Sequence, residues 1–160
     1  MLLFILFVFK PLKIKEQKFV DVPLLEMSKF TMYELNKVGL QTSMAGSNAL
    51  RYADRYEVKE INFRDNSKKF ISKMKADFGV YKNDIVDLKG NITFLREDGL
   101  KMQSKTLHYN IKNSIAQTDD AYILNMQKSQ MRGSSIVYDT LHRKLYSKDI
   151  TMTYNLKEEK

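Results

Sequence analysis

The sequence predicts an all-β protein built from repeated antiparallel strands, preceded by a short apolar segment. Two observations predict the strands: apolar and polar side chains alternate through most of the chain, and one pattern ending in tyrosine occurs four times. A third observation, an apolar run at the amino terminus, divides the chain into a predicted anchor segment with a basic stretch at 1–18 and a β domain at 19–160.

The repeated pattern is eight residues long, and its tyrosines are almost evenly spaced. The four segments are AGSNALRY (45–52), MKADFGVY (74–81), MQSKTLHY (102–109) and MRGSSIVY (131–138). A small residue stands five positions before each tyrosine, namely Ser47, Ala76, Ser104 and Gly133. Two positions before the tyrosine stand Leu50, Gly79, Leu107 and Ile136, so Gly79 alone is not a large apolar residue.

The residues that recur in each repeat stand seven, five and two positions before the tyrosine. In a flat strand successive side chains alternate between the two faces, so these three positions would not all lie on one face. A bulge or bend near the small residue would return all three positions to one buried face. We therefore predict a bend inside each repeat, and by this phase the repeat tyrosines are buried.

Each repeat also contains a second apolar alternation after a polar turn, so each contributes at least two strands. These alternations are Val58-Ile61-Phe63, Ile85-Val86-Leu88 continuing to Ile92-Phe94, Tyr122-Ile123-Leu124, and Ile150-Met152-Tyr154. Asp98-Gly99 is the best hairpin signal, polar turns fall at 65–67, 83–84 and 112–114, and a further hairpin is predicted from 30–35 and 40–44. β-branched and aromatic residues favour strands over helices, which predicts a sandwich or a rolled open β-structure.

The amino-terminal run from Met1 to Phe9 is apolar and is followed by a basic stretch with Lys10, Lys13, Lys15 and Lys18. A membrane-spanning helix needs about 20 apolar residues, roughly twice the length of this run. A cleaved secretory signal would have a basic region before the run and small residues after it, and neither is present. We expect the outer end of an uncleaved membrane anchor or, alternatively, a buried first strand. The lysines alone would favour a cytoplasmic side.

Charge and side-chain chemistry exclude most catalytic classes. The formal net charge is +8, but the cations are dispersed, which favours a solvated surface or attraction to anionic lipid over a nucleic-acid site. The chain has no cysteine, only two histidines, and neither a glycine-rich phosphate loop nor a nucleophile elbow. We predict no catalytic residue, no metal site and no cofactor, and hence no enzyme.

Several features together resemble a known family: the amino-terminal apolar segment, the repeated A/M-x-A/S/G-x-x-x-x-Y pattern, the segments LKGNITF and DGLKMQSKTLHYN, and a late MRGSSIVYD. The sequence from about residue 20 to 154 resembles the lipopolysaccharide-export family LptC, which is related to LptA and to the amino-terminal domain of LptD, the OstA-like family. The most specific part extends from Gly90 to Tyr138.

The resemblance implies an open β-jellyroll in the periplasm, held to the inner membrane by a single-pass anchor. It implies that lipopolysaccharide binds in an apolar groove and passes from an inner-membrane ABC transporter to an LptA-like periplasmic protein, with energy supplied by the transporter. An envelope β-scaffold that binds partners by strand addition without carrying lipid remains the alternative. A basic barrel for single-stranded nucleic acid is disfavoured, so no nucleic-acid partner is expected.

On this interpretation, candidate residues fall into a groove and two partner-binding edges. The groove candidates are Met74, Ala76, Phe78, Ile92, Phe94, Met102, Leu107 and Tyr109. The entry-edge candidates are Phe30, Met32 and Leu35, and the exit-edge candidates are Ile150, Met152 and Tyr154.

Overall fold

The computed structural model describes residues 21–156; the predictions for the segment at 1–18 and for the last four residues lie outside this range. The described chain is all-β. Its strands are β1 (Leu25–Asn36), β2 (Gly39–Arg51), β3 (Tyr56–Asp65), β4 (Ser72–Lys82), β5 (Ile85–Arg96), β6 (Leu100–Asn110), β7 (Ile115–Thr118), β8 (Tyr122–Met126), β9 (Ser129–Gly133), β10 (Ser135–Asp139), β11 (Lys144–Lys148) and β12 (Thr151–Tyr154).

All pairings in the sheet are antiparallel. Strands β1 to β6 form a meander in which each strand pairs with the next. Beyond β6 the sheet divides: β7, β10 and β11 continue from the carboxyl-terminal part of β6, and β8, β9 and β12 continue from its amino-terminal part. The sheet does not close on itself among residues 21–156, because β1 at one end and β11 and β12 at the other each have one strand neighbour.

A line of bends crosses the sheet and confirms the bend predicted from the parity of the repeat. The backbone φ is positive at Lys29, Glu60, Gly90 and Asn91. The strand register shifts between Lys75 and Phe78 and again between Lys89 and Ile92. In the carboxyl-terminal part the bend becomes a complete break, which separates β7 from β8, β9 from β10 and β11 from β12.

The bends divide the sheet into two facing leaves. The methionine leaf, named for the residues described below, contains 30–36, 39–45, 61–65, 72–76, 92–96 and 100–104 together with β8, β9 and β12. The tyrosine leaf contains 25–28, 48–51, 56–59, 78–82, 85–89 and 106–110 together with β7, β10 and β11. The all-β, open antiparallel architecture agrees with the prediction.

The core lies between the leaves across β2 to β5. Its buried members are Met44, Ala49, Val58, Ile61, Phe63, Ala76, Tyr81, Val86, Leu88 and Ile92. Tyr122 and Ile136 are buried separately in the carboxyl-terminal part. Each strand places alternate residues inside, so one apolar face of the sheet is buried and the other meets solvent.

The turns follow the predicted chemistry, while some strands differ from the prediction. Asp98-Gly99 forms the β5–β6 hairpin, with Gly99 at a φ of 95°, and Asn83-Asp84 connects β4 and β5 with both φ values positive. The short strands β7 and β11 were not predicted, and Ile150 lies in the break before β12 rather than in a strand. Between residues 21 and 156 no helix is long and apolar enough to cross a membrane.

Candidate functional site

An apolar slot lies between the two leaves. It is narrow, with about 70 Å³ of free volume for water-sized molecules. Its lining residues are Met44, Tyr56, Val58, Ile61, Phe63, Ser72, Met74, Gly79, Val80, Tyr81, Val86, Leu88 and Phe94. Ligand pockets of this character bind molecules that are themselves largely apolar.

One continuous row of large apolar residues crosses all nine strands of the methionine leaf. Each member is the direct cross-strand partner of the next. In spatial order the row is Met32, Met44, Phe63, Met74, Phe94, Met102, Leu124, Met131 and Met152. Directly opposed residues share a face, so all nine point the same way as Met44 and Phe63, into the space between the leaves. At about 4.8 Å per strand the row is roughly 38 Å long.

Exposure along this methionine row rises toward the carboxyl-terminal end. Met44 and Phe63 are 3% and 8% exposed, whereas Met152 on β12 is 66% exposed. Met74, Phe94, Met102, Leu124 and Met131 are half-buried. The leaves therefore pack closely at β2 and β3, and the row becomes more exposed to solvent toward β12.

Three of the four repeat tyrosines, Tyr81, Tyr109 and Tyr138, belong to a second row on the opposite leaf. Tyr56, Tyr81, Val86, Tyr109, Ala116 and Tyr138 are successive cross-strand partners. Tyr81 is buried, and its hydroxyl donates to Asp84 Oδ1 at 3.2 Å. Burial, with Asp84 as a second cause, raises the pKa of Tyr81 to about 12, so its phenol stays neutral.

The prediction that the repeat tyrosines are buried holds fully only at Tyr81, since Tyr109 is half-buried. Tyr138 is 37% exposed because it lies near the open end of the tyrosine leaf. Tyr52 is half-buried and follows the end of β2, where the Arg55 guanidinium lies 3.9 Å from its ring centroid.

The structure brings seven of the eight groove candidates onto the inner face. Met74 and Phe94 line the slot, Ala76 and Ile92 are buried in the core, and Met102 belongs to the methionine row. Leu107 and Tyr109 pack against the core from the tyrosine leaf.

Phe78 requires a correction, because it does not line the slot. It alternates with Gly79 and Tyr81, which face inward, and its cross-strand partners are Lys59 and Lys89 on the outer surface. The register shift between Lys75 and Phe78 causes this placement, since it reverses the parity relative to Ala76. Sequence alternation alone places the bend only approximately.

The edge candidates lie at the two ends of the sheet. Phe30 and Met32 on β1 pack against the core, whereas Leu35 is 70% exposed beyond a register shift. Met152 and Tyr154 lie on β12, and Ile150 precedes it at 50% exposure. Sequence reasoning missed the third edge, β11, where Tyr146 is 61% exposed.

Several slot residues were also missed from the candidate set. Val58, Phe63 and Val86 were visible in the apolar alternations, and Tyr81 in the repeat. Met44 was obscured because the first repeat places Ala45, not Met44, seven positions before its tyrosine, and only the cross-strand register aligns Met44 with Met74. Leu124 and Met131 join the row through β8 and β9.

Both histidines of the described chain are paired with carboxylates at the surface. His108 Nδ1 lies 2.6 Å from Asp87 Oδ1, and His142 Nδ1 lies 2.7 Å from Asp139 Oδ2. Backbone and side-chain hydrogen bonds from His142 hold the pKa of Asp139 below its usual range. Within residues 21–156 no group of three or more histidine or acidic side chains is arranged to hold a metal ion.

The fold and the slot define a class of all-β protein in which an open, bent antiparallel sheet surrounds an apolar cleft. The chain belongs to the LptC-related family of lipopolysaccharide-assembly proteins, whose model matches residues 2–148. Membership places the protein in lipopolysaccharide assembly and confirms the resemblance found in the sequence.

Comparison with solved structures gives LptH from Pseudomonas aeruginosa, the LptA-homologous periplasmic component of a conserved lipopolysaccharide transport device. The two chains share 12% identity, with 86% of this chain and 98% of LptH covered, at a TM-score of 0.48. No curated protein matches this chain closely enough for comparison.

Proposed function

We propose that this protein binds the acyl chains of lipopolysaccharide in the slot and passes the lipid from an inner-membrane ABC transporter to an LptA-like periplasmic protein. Family membership supports the lipopolysaccharide role. The observation that carries the proposal is the methionine row, which extends from β1 at one open end of the sheet to β12 at the other.

The row suits this task physically. Acyl chains crossing water need an unbroken apolar surface, because each exposed methylene costs about 0.8 kcal/mol. Methionine has an unbranched, flexible thioether side chain that adapts to irregular partners. Six of the nine row members are methionines, which allows contact with chains of different length and position.

The sheet ends supply the proposed handover points. β1, β11 and β12 each leave one side without a strand partner among residues 21–156. Such edges pair with further strands by β-augmentation, which would continue the slot from one domain into the next. On this proposal β1 is the entry edge and β12 the exit edge, and no step requires a catalytic group.

Location in the inner membrane, with the domain in the periplasm, is part of the same proposal. It rests on the sequence of the apolar run at residues 1–9 and on the family. Tagging the amino-terminal segment and the β domain separately with a periplasm-specific reporter tests it, because the reporter must be active only on the β domain.

A second candidate is a β-scaffold that joins partners through its edges and carries no lipid. The close packing at Met44 and Phe63 favours it, because both side chains are already buried without cargo. The two functions differ in whether polar groups on the inner face affect lipid capture.

Paired substitutions at the open part of the methionine row distinguish them. Met102→Gln with Met131→Gln keeps side-chain length but introduces amides into the methionine row, and each unpaired amide costs about 1–3 kcal/mol on lipid burial. We expect lipopolysaccharide co-purifying with the full chain to fall at least about tenfold. Met102→Leu with Met131→Leu is the matched control and should retain lipid, because it preserves volume and apolarity. Equal capture by both folded variants would support the scaffold.

A further inference from the structure

The outer surface of the methionine leaf has a one-sided charge distribution that the slot does not explain. Two outward-facing rows cross its nine strands. One contains Tyr33, Ser43, Arg64, Lys73, Leu95, Lys101, Asn125, Gln130 and Thr153, and the other contains Thr31, Ala45, Asn62, Lys75, Thr93, Gln103, Ile123, Arg132 and Thr151. The eighteen positions include five cations and no carboxylate, and we call this surface the basic face.

The five cations of the basic face form no ion pairs with carboxylates of the described chain. The ion pairs of residues 21–156 involve Arg55, Lys82, Arg96, Lys112 and the two histidines, and none involves the basic face. Arg64 and Lys73 are even direct cross-strand partners, an arrangement of like charges that destabilises a sheet. Carboxylates occur only at its borders, with Glu60 and Asp77 at the bend and Glu97 and Asp98 in the β5–β6 turn.

The outer surface of the tyrosine leaf provides an internal comparison. The row that alternates with the tyrosine row contains three carboxylates and no lysine or arginine; its members are Glu26, Leu50, Glu57, Val80, Asp87, His108, Gln117, Val137 and Tyr146. A second outward row adds Lys59 and Lys89. These two rows are therefore close to neutral, whereas the basic face carries five cations and no carboxylate.

We propose that the basic face docks on the anionic surface of a phospholipid bilayer. A row of cations spaced by neighbouring strands matches a plane of phosphates, and each cation near such a surface contributes about 1 kcal/mol. Between the cations lie small or polar side chains such as Ser43, Ala45 and Asn62, whereas a protein interface of useful affinity needs a cluster of apolar or aromatic anchors. The large apolar residues of the face, Tyr33, Leu95 and Ile123, lie on separate strands, with β2 to β4 between the first two.

Chain length is compatible with this docking. Residues 10–20 separate the apolar run from Asp21, and an extended segment of that length reaches roughly 40 Å at most. A bilayer that receives the apolar run therefore lies within reach of the β domain. The inference does not depend on lipid carriage by the slot.

Site-specific labelling tests the orientation, since the chain contains no cysteine and a single introduced cysteine is unique. Gln103→Cys places a fluorophore on the basic face, and Gln117→Cys places the same fluorophore on the outer surface of the tyrosine leaf. Both glutamines are half-buried and face outward. The full chain is added to vesicles whose lipid headgroups bear a nitroxide quencher.

We expect quenching at position 103 but not at position 117 with vesicles containing phosphatidylglycerol. Quenching should be weak with pure phosphatidylcholine and should fall as salt is raised, because exposed charges are screened within about 10 Å at 0.1 M. The apolar run and the lysines that follow it are common to all samples, so the difference in quenching between positions 103 and 117 reports the orientation of the β domain.

Charge reversal provides the second arm. Lys73→Glu with Lys75→Glu on the basic face should weaken binding to phosphatidylglycerol vesicles at least about tenfold, since about 1 kcal/mol per cation corresponds to roughly fivefold. Lys59→Glu with Lys89→Glu is the matched control on the other leaf, and all four lysines are exposed. Equal quenching at both positions, equal loss from both pairs, or binding only to an acidic protein and not to vesicles would each overturn the proposal.

Discussion

Ile61 fills the space over Gly79: a Cβ atom at Gly79 would lie 2.6 Å from Ile61 Cδ1 and 2.9 Å from Leu88 Cδ2. Gly79 is the repeat position that holds Leu or Ile in the other three units. The neighbouring side chains occupy the volume that those residues provide elsewhere, so the glycine leaves the inner face filled. Close packing of the two leaves at β3 and β4 depends on these neighbouring side chains, which fill the space over the glycine.

Gly79→Ala should therefore destabilise the domain by about 1–3 kcal/mol through overpacking. Ile61→Val removes Cδ1 and alone should cost about 0.5–1.5 kcal/mol. In the double variant the two costs should partly cancel, because the added methyl group enters the vacated space. Urea unfolding of all four proteins measures the coupling. Strictly additive losses would show that Ile61 does not fill the Gly79 position.

A second glycine, Gly133, should tolerate an added methyl group less well than Gly79. A Cβ atom at Gly133 would meet Tyr122 Cε1 at 2.7 Å and the Lys148 carbonyl oxygen at 2.9 Å. Tyr122 is held by its hydroxyl contact with Ser147 Oγ at 2.7 Å, and the carbonyl belongs to the backbone, so neither neighbour moves easily. We expect Gly133→Ala to destabilise the protein more than Gly79→Ala in the same unfolding assay. If Gly133→Ala lowers the free energy of unfolding no more than Gly79→Ala does, rigid neighbours do not explain why this repeat position holds a small residue.

The buried phenol of Tyr81 predicts a specific alkaline pH dependence. Its pKa is raised to about 12 from the usual value of 10.0, chiefly by burial. The pKa of Tyr81 is higher in the folded than in the unfolded protein. Its contribution to the free energy of unfolding is therefore complete below pH 10 and is lost as the pH rises toward 12. Tyr81→Phe removes this ionisation. Its free energy of unfolding should therefore decline less steeply than that of the wild type between pH 10 and 12, and parallel profiles would argue against a buried, neutral Tyr81.

Local chemistry predicted the parts of the fold that depend on few residues. The Asp98-Gly99 hairpin and the bend between the small residue and the tyrosine follow from turn preferences and strand parity. Phe78 was misplaced because parity reverses within the bend, and its exact position depends on the register with β5. β7 and β11 were missed because strands of four and five residues contain too little alternation to be recognised.

The candidate site could be predicted only in part, because its geometry also depends on the register between strands. Met74 and Met102 stand at one offset in their repeats, so the sequence identifies them. Met44 and Phe63 join the methionine row through cross-strand pairing, which is a tertiary property. The charge difference between the outer surfaces likewise appears only once the leaf of each lysine is known.

The most direct test of the lipid conduit is photo-crosslinking in cells. A photoreactive residue at Leu107 packs against the core on the inner side of the tyrosine leaf, whereas the same residue at Gln117 faces outward on that leaf. The account predicts a lipopolysaccharide adduct at position 107 that requires an active transporter ATPase, and none at position 117. A folded protein that gives no adduct at position 107, or equal adducts at both positions, would contradict lipid carriage in the slot and leave strand-mediated scaffolding as the better explanation.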